Sequence, residues 1–246
     1  MPDLKISELD ALDETADDDE LTIVDKSTGI TKKILVGVLN AIVRTTKIGN
    51  GSTDYTNFDT TGHQTMEGDA RPWRDQLSDS LSLKVQGTGI SPNVTEATVE
   101  FATNADYNTD YLYCNIQLNH DKDLTSKIYP HIHYFQAENN IPNFLIEYRW
   151  QANLGSKTTA WTKLKCNTNA TLYTGGTINN IAHSAGINPP GGTQISDVVQ
   201  FKIYRDTTND SLEFTGIDPY TAAVGITSFD CHFMLNSVGS TEEYVK

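Results

Sequence analysis

Apolar and polar residues alternate in short runs along the chain from about Lys84 onward. In "VTEATVEF", Thr95, Ala97, Val99 and Phe101 fall on one side and Val94, Glu96, Thr98 and Glu100 on the other. That period of two predicts a half-buried strand. "YLYCNIQL" repeats it, setting Leu112, Cys114, Ile116 and Leu118 against Tyr111, Tyr113, Asn115 and Gln117. "KIYPHIHYFQ", "FLIEYRWQ", "VVQFKIYR" and "TSFDCHFML" behave similarly, and weaker strand patterns lie at residues 161–166 and 177–182. Turn-forming clusters such as "AENNIPN", "ANLGSKTT", "GINPPGGT" and "DTTND" separate them. Roughly eight strands without crossover helices argue against a parallel α/β sheet. They predict a mainly β fold, an antiparallel jelly-roll-like β-sandwich over residues 86–246, which covers both inner faces and limits exposed edges.

Ahead of the sandwich the pattern changes. Residues 1–48 read as an acidic lead, a strand at 21–25, a turn at "KSTG", a second strand at 30–35 and a short helix near 36–43. "ILVGVLNAIV" is apolar on nearly every side, and so short a helix needs another surface to cover it. The segment is expected to anchor the chain to something larger. Residues 49–85 read as a linker, because "GNGSTDYTNFDTTGHQTMEGDA" shows isolated aromatics among turn formers and no sustained period. At its end, "RPWRDQLSDSLSL" places Trp73, Leu77 and Leu81 at helical intervals after Pro72, which predicts a short helix.

Charge narrows the possible partners. The formal net charge is −14, so no phosphate-neutralising surface dominates, and neither nucleic-acid binding nor attraction to anionic membrane is expected. Residues 1–25 hold ten acids against Lys5. Cys114, Cys166 and Cys231 are widely spaced without a C-x-x-C pair, which implies neither a disulfide framework nor a zinc cluster. The sequence contains no signal-peptide pattern and no apolar run long enough to span a bilayer, so assembly in a cytoplasm without membrane insertion is expected.

"PHIHYF" carries the sharpest chemical question. His131 and His133 stand two apart, which puts both imidazoles on one side of a strand, as in some metal-binding β-barrels. Glu138 follows after four residues, and His232 in "FDCHFML" can come from a later strand, so His131, His133, Glu138 and His232 form the candidate metal set. The spacing resembles the cupin motif, but Thr125 and Leu145 stand where its bracketing glycines would fall. The competing reading makes these imidazoles sheet-surface residues that stack on Tyr134, Phe135 or Trp150. That reading is preferred, and no catalytic, cofactor-binding or metal residue is assigned; no cofactor is expected. "HQTMEGDARPWRD" concentrates Glu67, Asp69, Arg71, Trp73, Arg74 and Asp75, a mixture expected to pair internally or at an interface. "DETADDDE" lacks the spacing of a calcium loop. With no nucleophile elbow, P-loop, H-E-x-x-H or dinucleotide fingerprint, a non-enzymatic role is expected.

"KISELDALDETADDDELTIVDKSTGITKKI" resembles the start of tailed-bacteriophage fibre and appendage proteins over residues 4–34. "GDARPWRD", "PHIHYF" and the terminal "LNSVGSTEEY" extend the resemblance to phage structural proteins. It implies a virion component that docks to other virion proteins through residues 1–48 and carries a β-sandwich head, commonly as a homotrimer, at a tail, neck or capsid position. Aromatic residues such as Tyr129, Phe135 and Trp150 would face a neighbouring copy if they point outward. A carbohydrate-binding head that contacts a host surface glycan is the alternative, and a cupin-like metal-dependent enzyme ranks behind both.

Overall fold

The computed structural model describes residues 20–25, 30–35, 47–49, 53–59, 62–153, 155, 159–168 and 178–238. The acidic lead, the "KSTG" turn and the helix expected near 36–43 lie outside them. The chain divides into two compact units, Met1–Ala70 and Arg71–Lys246.

In the first unit, β1 (Glu20–Asp25) pairs antiparallel with β2 (Ile30–Leu35), at the two strand positions the alternation indicated. β3 (Lys47–Gly49), β4 (Tyr55–Phe58) and β5 (Gln64–Glu67) form a three-stranded antiparallel sheet where the sequence reads as linker. The Asp54 carboxylate accepts the Asp69 N–H at 2.9 Å, which ties the end of this sheet to its beginning. Strands this short escape a periodicity search because each offers too few residues to establish alternation.

The second unit holds β6 (Trp73–Asp79), β7 (Lys84–Gln86), β8 (Ile90–Asn93), β9 (Thr98–Phe101), β10 (Tyr111–Gln117), β11 (Ile128–Gln136), β12 (Phe144–Gln151), β13 (Thr162–Thr168), β14 (Ile178–Ser184), β15 (Val198–Arg205) and β16 (Val224–Met234). It is an antiparallel, jelly-roll-like β-sandwich. One layer runs β7-β10-β15-β12-β13 and the other β14-β11-β16-β9-β8, with β6 also paired to β16. Pairing of Cys166 with Ser184 joins β13 to β14 and closes one side of the sandwich. Alternation does the packing: Leu112, Ile146, Phe201 and Ile203 face inward from one layer, and Ile132, Tyr134, Phe229 and Cys231 from the other. The Phe201 and Phe229 rings meet between them at 5.1 Å.

Three expectations are corrected. The segment after Pro72 is strand β6 followed by a single 3-10 turn at Ser80–Ser82, not a helix. Residues 73, 77 and 81 satisfy a period of two as well as a helical interval, and pairing with β16 from Trp73↔Met234 to Asp79↔Ser228 decides between them. The sandwich unit therefore begins at Arg71 rather than at residue 86. "VTEATVEF" is not one strand: β8 and β9 form a hairpin whose turn spans residues 94–97, with Ala97 at φ 52°.

All three cysteines are buried as free thiols. Burial pushes the Cys114 thiol up to about 12 and holds Cys166 and Cys231 well above the ordinary range, so they pack as small apolar residues.

Candidate functional site

The outward face of β6, β16, β11 and β14 carries the chemistry. Inward residues of these strands, including Ile132, Phe229, Cys231 and Ala182, are fully buried. The alternate positions therefore project away from the core: Trp73, Asp75 and Leu77 on β6, Asp230 and His232 on β16, Tyr129, His131 and His133 on β11, and Ile181 and His183 on β14. Register arranges them in rows. Asp230 lies opposite His131, which lies opposite His183; Asp75 lies opposite His232, which lies opposite Tyr129.

This pairing answers the question raised by the sequence. His131 and His232 meet edge to face with ring centroids 4.2 Å apart, and His131 and His133 stand 5.0 Å apart. Glu138 takes no part. Its carboxylate accepts the Thr221 N–H and, at 2.8 Å, the Thr221 hydroxyl, which fastens a loop instead. The acid at the centre is Asp230, in contact with His131 Nε2 through Oδ1 and 3.4 Å from His133 Nε2 through Oδ2. The available sequence signal was a D-x-H pair in "FDCHF", whose two side chains share a face as those of H-x-H do. Strand register alone brings the two pairs together.

Burial sets the electrostatics. Asp230 is only 5% exposed, and burial by itself raises its carboxyl; hydrogen bonding and charge from His131 and His133 reverse this and hold it down at about 2. His131 Nδ1 lies 3.4 Å from the Tyr129 carbonyl. His232 Nε2 is engaged separately, 2.7 Å from the Asp75 carboxylate.

Beside this cluster runs a groove of about 680 Å³ lined by Trp73, Tyr129, Ile181 and His183 together with His131 and His232. Trp73 packs edge to face on Tyr129 at 5.6 Å, yet it remains 56% exposed, with Leu77 at 63%, Ile181 at 40% and Tyr129 at 37%. Of the aromatics singled out from sequence, Tyr129 is exposed, whereas Phe135 and Trp150 are half-buried, Trp150 against the core. A second aromatic group lies in the other layer. There Arg149 and Lys202 cover the Trp161 ring at 4.3 and 4.5 Å, so its face is already occupied.

The charged residues at 71, 74 and 75 pair with distant parts of the chain. Within the second unit Arg71 donates to Asp123 at 2.6 Å, Arg74 contacts Asp121, and Asp75 holds His232. Among the described residues no helix is long and apolar enough to cross a membrane.

No family model matches the chain, and no curated protein does. Two solved structures are similar to it. One is the carbohydrate-binding module TmCBM27, described for specific mannan recognition, at 8% identity and TM-score 0.29 over 65% of this chain and 88% of the module. The other is TmCBM61, described in complex with β-1,4-galactotriose, at 11% identity and TM-score 0.23 over 67% of this chain and 88% of that one. Likeness at these scores carries no argument about ligand or activity.

Proposed function

We propose that this chain is a non-enzymatic structural protein of a bacteriophage particle, built as an appendage. Residues 1–48 dock it to other virion proteins, and the β-sandwich forms a head that associates with further copies of itself about a threefold axis. The observation that carries the reading is the exposed apolar strip of Trp73, Leu77, Tyr129 and Ile181 on one sheet face. Large apolar side chains gathered on one face favour contact over solvent. The docking half rests on the resemblance of residues 4–34 to phage appendage proteins.

Solution mass of the full chain tests the head, and particle incorporation tests the anchor. A trimer that weakens with Leu77→Glu, together with loss of incorporation when residues 1–48 are removed, is expected. A monomer at high concentration, or normal incorporation of the truncated chain, contradicts the reading.

A second reading is favoured by one specific observation. Trp73 stands half exposed at the rim of a groove and is braced by Tyr129, the arrangement that stacks on a sugar ring. In this reading the head binds a host surface glycan. Quenching of tryptophan fluorescence by oligosaccharides, abolished in Trp73→Ala, supports it; silence across a glycan array opposes it.

A further inference from the structure

We propose that His131, His133 and Asp230 form a binding site for a divalent first-row transition metal ion. One ring nitrogen from each histidine and one carboxylate oxygen of Asp230 lie within 4.8 Å of one another. Three ligands at that spacing can surround one ion after small side-chain adjustments, and three protein ligands leave at least one coordination position for solvent.

The polar contacts of the cluster gather around one carboxylate. Asp230 is more than nine-tenths buried, with Oδ1 against His131 Nε2 and Oδ2 3.4 Å from His133 Nε2. On the other side of the ring, His131 Nδ1 faces the Tyr129 carbonyl. A proton on Nδ1 leaves Nε2, the nitrogen that meets Asp230, as the one to ligate an ion, and binding displaces any proton held there. A backbone carbonyl behind a histidine ligand is also the usual way its tautomer and orientation are fixed.

The donor set selects the ion. Two imidazoles with one carboxylate suit zinc, iron, cobalt or nickel, whereas calcium and magnesium require mostly oxygen ligands. A neighbouring triad of Asp75, Asp230 and His232 has similar spacing but lies at a more exposed position. There His232 Nε2 is already held by Asp75 at 2.7 Å, so that pair braces the site rather than supplying its ligands.

The full chain, stripped with chelator and dialysed, is titrated with Co²⁺ while visible absorption and bound metal are measured. The wild type is expected to take up about one Co²⁺ per chain, displaced by Zn²⁺, with the absorption bands of a nitrogen- and oxygen-ligated site. Asp230→Asn and His131→Ala are expected to lose more than the ~10–100-fold in affinity that removal of an outer-shell partner costs. His120→Gln, outside the cluster, binds like the wild type. Circular dichroism checks folding; His133→Ala, which alters a more exposed ring, serves if either buried variant fails to fold. Absence of uptake by the wild type, or equal uptake by the folded ligand variants, overturns the proposal. The result is independent of self-association, which solution mass reads separately.

Discussion

Two buried ion pairs of the sandwich differ in how completely they are satisfied. Arg205, fully buried at the end of β15, donates to Asp218 at 2.7 Å, to the Ala102 carbonyl at 3.2 Å, to the Ala222 carbonyl at 2.8 Å and to the Tyr220 carbonyl. Asp218 spends its other oxygen on the Tyr220 N–H at 3.0 Å. The segment after β15 is thereby stitched to the body of the fold. Asp230 is almost as buried, but among the described residues its carboxylate meets only two imidazoles, those of His131 and His133, across an open-sided cluster. A completed network fixes a loop; an incomplete one retains capacity for a ligand.

The comparison is broken or sharpened by substitution. Arg205→Ala carries the largest expected effect: it strands the Asp218 carboxylate in the core and costs about 3–5 kcal/mol in denaturant unfolding. A loss below about 1 kcal/mol would break the claim that this network holds the fold. Next comes Asp123, a third buried carboxylate and a fully served one, bound by Arg71 at 2.6 Å, the Thr125 N–H at 2.9 Å and the Thr125 hydroxyl at 2.7 Å. Burial raises its carboxyl, but the Thr125 hydrogen bonds and the charges of Arg71 and Lys122 prevail and lower it below 3.8.

A carboxyl whose folded value lies below its unfolded one stabilises fully above about pH 4 and loses that contribution as pH falls through the folded value. Asp123→Asn should therefore cost about 1.5–3 kcal/mol at neutral pH and flatten the acid limb of the stability curve. An unchanged limb would argue that Asp123 is not served as described. Asp230→Asn in metal-free protein is expected to cost about 2 kcal/mol at neutral pH, the linkage equivalent of a carboxyl held at about 2 by His131 and His133, and so less than Arg205→Ala. Equality with Arg205→Ala would erase the distinction between the two sites. Trp73→Ala, on the exposed strip, should change stability by no more than ~0.5 kcal/mol while altering solution mass or sugar quenching.

How far the sequence could be read follows from the same geometry. Alternation reveals β10, β11, β12 and β15 because each is long enough to repeat and has one covered face. It misleads at β6, where Trp73, Leu77 and Leu81 satisfy two periods at once, and only pairing with β16 separates them. It is silent on β3–β5, whose strands are three or four residues long. His131, His133 and His232 are legible as candidates because residues two apart share a face. Asp230 is not, since its partnership with His131 depends on which residues of β11 and β16 lie opposite one another. Glu138 shows the converse: correct spacing along the chain, yet a place on a loop bound to Thr221. Arg205 and Asp218 are likewise joined by a turn whose path no periodicity encodes.

Thermal unfolding of the full chain with and without Zn²⁺, in the wild type and in Asp230→Asn, addresses the contrast between finished and unfinished polar networks most directly. A ligand that binds only the folded state raises the midpoint by an amount that grows with the logarithm of its affinity. The account predicts a clear rise for the wild type and none for Asp230→Asn. Equal shifts in both proteins, or no shift in either, would contradict it.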